Sequence, residues 1–199
     1  MSLHSALSTL AGLLMLSGFV PYCIYVIKNR NDEVRGKPRK VSWIVWVFLD
    51  TVSLLGMFVA NSVNMLSVAA VTGGIFALVL AFRFGKSGWK TLDKFCLVGG
   101  VLGVLLWGIT SNPTVAIIAS NMAVFVGAIP TFESVYKEPE GENRAGWILY
   151  WLSCALATAI IPQWDFDHAM QPVTFLVIDS IVMWMLLFPT NKARPAVQA

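Results

Sequence analysis

The sequence predicts an all-α integral membrane protein of seven transmembrane helices, built as two parallel three-helix bundles joined by a linker helix (3+1+3). Three observations carry that prediction: an apolar composition, seven apolar runs of spanning length, and basic residues that all sort to one face. Of 199 residues, 57% are hydrophobic and 13% charged, with a mean hydropathy of +0.71. A water-soluble domain carries about 25% charged residues, so lipid is the solvent this chain is written for.

A span needs about 20 residues to cross roughly 30 Å of hydrocarbon. Runs at 5–27, 41–60, 64–84, 92–110, 113–135, 145–161 and 170–188 meet that requirement. No basic residue precedes the first run and no small-x-small site follows a short apolar core, so it reads as a helix rather than a cleaved signal peptide. The segment after it carries Lys28, Arg30, Arg35, Lys37, Arg39 and Lys40, and the region 83–94, from the end of the third run to the start of the fourth, carries Arg83, Lys86, Lys90 and Lys94. Lys137 and Arg144 flank the loop after the fifth run, and Lys192 and Arg194 lie in the tail. These are all fourteen basic residues, and alternate crossings put every one on the same side. The positive-inside rule then predicts the N-terminus outside and the C-terminus in the cytosol. The three cysteines, Cys23, Cys96 and Cys154, fall inside predicted spans, which points to apolar packing rather than disulfides or a zinc site.

The chain repeats itself. Gly18-Phe19-Val20-Pro21 near the end of the first run is matched by Gly127-Ala128-Ile129-Pro130 near the end of the fifth, and a lysine follows each proline by seven residues, Lys28 and Lys137. Each unit then passes through a polar loop into a tryptophan-led helix, at Trp43 and Trp46 in one half and at Trp147 and Trp151 in the other. The predicted units are 1–84, a linker at 85–112 containing the fourth span, and 113–199. Three helices per unit would invert a direct fusion, and the extra span restores a parallel repeat.

This pattern resembles the SWEET sugar facilitators and the wider proline-glutamine-loop transporter superfamily, most closely in its bacterial members. The family's first-helix proline is matched by Pro21 and Pro130, whereas Tyr22 and Thr131 stand where a glutamine often follows. The resemblance implies alternating access, the two prolines acting as paired hinges, and a central solute site lined by spans two, three, six and seven. It also implies residence in the bacterial cytoplasmic membrane.

Asp50 and Asp179 each lie about nine residues inside their predicted spans, near the midplane. A charge there costs roughly 2.5–3.5 kcal/mol and is expected to face the bundle interior or water. Matched depth gathers a candidate substrate site from Asp50, Thr72, Gly73, Asn121, Trp151, Cys154 and Asp179. Gly73 provides room, and Trp151 provides a ring to stack on a solute. Asp179 and Asp50 are the candidate proton-coupling groups, Asp179 foremost because its repeat partner is Gly73. Trp43, Trp46, Trp107, Trp147 and Tyr150 read as interfacial aromatics. The loop 137–144 reads as a solvated turn.

The expected function is a facilitator of a small polar solute, sugar-like or amino-acid-like. A vitamin or nucleoside facilitator of the nicotinamide-riboside transporter type stands as the alternative, with a non-transport scaffold behind it. An enzyme is not expected: His4 and His168 lie outside the spans, leaving no metal-ligand set, and no aspartyl-protease pattern surrounds the two acids. A retinal protein needs a lysine within a span, and no predicted span interior has one. No cofactor or metal is expected. The expected partners are the solute and the lipid bilayer, with no nucleic acid; association into a homo-oligomer is left open.

Overall fold

The computed structural model describes residues 2–32, 36–137, 139 and 142–188, and among these the chain is helical throughout its length. The helices are α1 (Leu3–Lys28), α2 (Lys40–Val59), α3 (Met65–Phe84), α4 (Thr91–Thr110), α5 (Pro113–Gly127), α6 (Ile129–Lys137), α7 (Arg144–Ala159) and α8 (Phe166–Leu187). The basic tail predicted beyond the last span, with Lys192 and Arg194, lies outside the described residues, as does Arg35.

Short polar side chains start most of these helices by accepting a backbone N–H of the first turn. Ser2 accepts from Ser5, Asn64 from Ser67, Asn112 from Thr114, Asn143 from Gly146 and Asp165 from His168. Pro113 follows its cap at the position where its missing N–H costs nothing. The fifth predicted span is one rod interrupted at Ala128, so α5 and α6 together run from Pro113 to Lys137. Pro21 lies within a continuous α1, and α8 contains a further proline, Pro172, near its start.

Six helical segments are long and apolar enough to cross a membrane; α7, with 16 residues, is shorter. At about 1.5 Å per residue it rises roughly 24 Å. Large apolar side chains cover the outside, Phe58, Phe76, Phe95 and Ile109 among them. An apolar surface of this extent calls for lipid rather than water. On α4 the buried positions are Asp93, Cys96, Gly100 and Gly103, which makes it the most peripheral of the long helices.

In the first triplet α3 packs on both α1 and α2, and in the later one α8 packs on both α5 and α7. Between the triplets α1 packs on α7 and α2 on α5, while α4 leans on α5 and α2. Loop contacts define two ends. Lys40 donates its backbone N–H to Lys86 and Lys86 to Pro38, and Arg39 pairs with Asp93 at 2.7 Å, which ties the α1–α2 loop to the α3–α4 loop. The Asn143 amide donates to the Pro21 carbonyl, bringing the α6–α7 loop to the same end. Every described lysine and arginine lies at this end. At the opposite end a His4 ring nitrogen meets the Ile160 carbonyl and Ser8 accepts from the Met65 N–H.

Gly18 and Gly146 let α1 and α7 touch backbone to backbone, a small-residue contact of the kind that holds membrane helices together. A methyl on Gly18 would lie 2.5 Å from the Tyr150 ring and 3.2 Å from the Gly146 carbonyl oxygen. Gly108, by contrast, has nothing within 4 Å of an added methyl. Gly18→Ala is expected to destabilise the protein by about 1–3 kcal/mol, while Gly108→Ala holds or slightly raises stability through helix propensity. Melting temperatures in detergent check this, and equal midpoints for the two variants would remove Gly18 from the packing account.

Candidate functional site

A cavity of about 1440 Å³ opens between the α1–α2 and α6–α7 loops and runs into the bundle. Lys37, Arg39, Lys137 and Arg144 stand at its mouth. Beyond them the walls are aromatic. Trp43 and Trp46 come from the first turns of α2, Trp147 and Tyr150 from the first turns of α7, and Phe19 from α1. Their rings form an unbroken series: Trp46 to Trp43 at 6.1 Å between centroids, Trp43 to Phe19 at 6.3 Å, Phe19 to Tyr150 at 5.1 Å and Tyr150 to Trp147 at 5.9 Å. Tyr22 joins the series at 5.3 Å from Trp43, whose indole N–H donates to the Tyr22 hydroxyl at 2.9 Å. At the rim, Glu142 accepts the Trp147 indole N–H at 3.1 Å. Burial pushes the Glu142 carboxyl above its ordinary range, and this hydrogen bond partly offsets the rise.

Asp50 of α2 and Asp179 of α8 lie at the floor, both buried and both lining the cavity. Asp179 accepts the Cys154 thiol at 3.2 Å. Asp50 has no hydrogen-bond partner among the described residues. The rest of the floor is apolar, with Met15, Val47, Ala70, Gly74, Phe175 and Ile178. Deeper still, Ala11, Leu66, Ala69 and Ala157 pack into a core that separates the cavity from a smaller one of about 220 Å³ at the opposite end. His4 and His168 line that smaller cavity. The hydrogen bond from His168 holds the Asp165 carboxyl below its ordinary value.

The residues expected at one site therefore separate. Asp50 and Asp179 reach the cavity, and Cys154 stands behind Asp179. Thr72 faces outward, its hydroxyl bonded to the Val68 carbonyl of its own helix. Gly73 makes room for a neighbour rather than a solute: an added methyl would lie 2.1 Å from the Phe19 ring. Asn121 is a buried link between helices, donating to the Ser53 hydroxyl at 2.8 Å and to the Ile117 carbonyl. Trp151, expected to stack on solute, lies on the outer surface with its indole N–H on Ser180. Trp43, Trp46, Trp147 and Tyr150, expected at the membrane interface, instead line the cavity. Pro130 borders the cavity at the α5–α6 break, while Pro21 sits behind the wall. Of the glycines that open the two repeated motifs, Gly18 is a packing contact, and a methyl on Gly127 would lie 3.4 Å from the Trp46 indole nitrogen.

Phe19 and Phe175 carried no sequence signal beyond hydrophobicity. Gln171 did: it is a polar residue in a span, and both of its buried amide atoms lack a partner among the described residues. Comparison with known protein families, curated proteins and solved structures finds no match.

Proposed function

We propose that this chain is a membrane transporter that moves a small polar solute by alternating access, built as two parallel three-helix repeats around a linker helix and similar in plan to the SWEET and proline-glutamine-loop transporters. The carrying observation is the cavity: it enters from one end of the bundle, passes an aromatic wall and stops at two buried carboxyl groups. That is the form of a solute site open to one side.

Support for the repeat lies in the packing. Exchanging the first triplet for the second turns the α1–α7 contact into the α5–α2 contact, and both are present. Such an exchange is what an approximate two-fold axis along the membrane normal produces. In this reading α7 completes the seventh span, the repeats are 1–84 and 113–199, and 85–112 is the linker. The basic end faces the cytosol with the N-terminus outside, in a bacterial cytoplasmic membrane. The cavity is then the inward-open state, and the apolar core beneath it is the closed outer gate. The protein acts as a carrier and not as an enzyme, with no cofactor. The aromatic wall favours, as a second reading, a vitamin or nucleoside facilitator over a sugar facilitator, because flat heterocycles stack on indole faces.

In proteoliposomes the protein is expected to equilibrate at least one member of a panel of labelled sugars, amino acids, nucleosides and organic cations well above the rate of empty vesicles. If every solute leaks in at the empty-vesicle rate, the carrier reading fails. Topology has its own test. Single cysteines at Asn31 and Gln163, in a background lacking Cys23, Cys96 and Cys154, are expected to label from opposite sides of the membrane. Labelling from one side would sink both the seven-span arrangement and the parallel repeat.

A further inference from the structure

Beyond the aromatic series the cavity changes character. Among its floor residues the only polar side chains are two carboxyls, Asp50 and Asp179. The Cys154 thiol already donates to Asp179, and nothing among the described residues faces Asp50 as a donor. A sugar presents hydroxyls that both give and take hydrogen bonds, whereas ionised carboxyls among apolar groups supply acceptors without donors. A carboxylate in such a place stays ionised only with a cation beside it, and otherwise takes up a proton. Among the described residues no lysine or arginine lies at that depth. Its cavity-lining cations sit at the mouth, where Arg39 is engaged by Asp93 and Lys137 by Glu133. Asp50 lies ten residues along α2 from Lys40, about 15 Å of helical rise. Among the described residues neither floor acid is in an ion pair with a mouth cation.

The rings above the floor complete the pattern. Five aromatic side chains in contact present π faces and edges around one space, and π faces attract positive charge. We infer that the cavity takes an organic cation, a compact quaternary or protonated amine whose charge sits between the aromatic series and the Asp50 and Asp179 carboxylates. The inference names the solute of the site proposed above and rests on reading that cavity as a solute site. The acids are the counter-ions, the indole and phenol faces replace the cation's hydration shell, and the apolar floor accepts its alkyl or ring body.

Full-length protein in detergent, titrated with choline, tetramethylammonium, tetraethylammonium and N-methylpyridinium, reads the proposal through tryptophan fluorescence, since Trp43, Trp46 and Trp147 line the cavity. At least one cation is expected to give a saturable change. The neutral tert-butyl isostere of choline, glucose and succinate are expected to give none at the same concentration. Asp50→Asn is expected to weaken the responding cation at least tenfold. Should that variant lose its monodisperse profile, Trp46→Leu carries the same expectation. Silence from all four cations, equal affinity for the neutral isostere or glucose, preference for succinate, or unchanged affinity in the folded variants would overturn the inference. Flux separates this result from the transport reading. A cation that binds but is not moved across proteoliposomes leaves the solute class standing and defeats the carrier, whereas uptake of a neutral or anionic solute alone does the reverse.

Discussion

Replacing both Asp50 and Asp179 by asparagine is expected to abolish accumulation of solute against a gradient, at least tenfold below the parent, with folded yield unchanged. Asparagine keeps the shape of each side chain and removes both the charge and the exchangeable proton. Each acid is buried against the cavity at the helix depth where an ionised group costs several kcal/mol, so the substitution relieves a burden rather than creating one. Two mechanisms part at the single variants. Proton coupling predicts that accumulation is lost while solute exchange across the membrane survives; charge selection of a cation predicts that binding itself is lost. Spacing alone favoured Asp179 as the proton site, on the grounds that Gly73 leaves space near it. In the structure Phe19 covers Gly73 and Asp179 already holds the Cys154 thiol, while Asp50 has no hydrogen-bond partner among the described residues. Asp50→Asn is therefore expected to have the larger effect. Uptake into proteoliposomes with and without an inward proton gradient decides it. Parental accumulation by both single variants would make the acids structural.

The joint substitution Pro21→Ala and Pro130→Ala is expected to slow exchange about tenfold while raising the melting temperature. A proline inside a helix, as Pro21 is in α1, removes a backbone hydrogen bond and crowds the preceding turn, a cost of about 3 kcal/mol, whereas Pro130 in the first turn of α6 costs less. Alanine restores the bond, so a merely static kink would gain stability and lose no rate. The two prolines now occupy different settings. Pro130 follows the break at Ala128 and borders the cavity, while Pro21 lies in an unbroken α1 with its carbonyl held by Asn143. If α5–α6 is the more mobile element, Pro130→Ala alone carries most of the slowing. Full exchange rates in the double variant would reduce both prolines to packing features.

Much of the helical plan was legible because it depends on local quantities. Apolar run length and the sorting of lysine and arginine act within a span or a loop. The interruption at Ala128 was not read, since Gly127 and Pro130 are compatible with a kink or a break. The placement of the tryptophans is not legible from depth. Position along a span gives depth but not direction, and neighbouring helix positions differ by about 100°, so Tyr150 lines the cavity while Trp151, one residue on, faces out.

The sequence by itself determined that this chain is a helical membrane protein, where its helices begin and end to within a few residues, that its positive charge gathers at one end, and that two acids lie deep in its spans. Those properties follow from transfer free energies and local hydrogen bonding, which neighbours in the chain decide. Only the tertiary structure decided which groups meet. It set Phe19 over Gly73, gave Asp179 the thiol of Cys154, left Asp50 without a hydrogen-bond partner among the described residues, and lined one cavity with rings from three helices. Those outcomes depend on the rotation of each helix about its axis, and that rotation is set by close packing at contacts such as Gly18 on Gly146, between residues 128 positions apart in the chain.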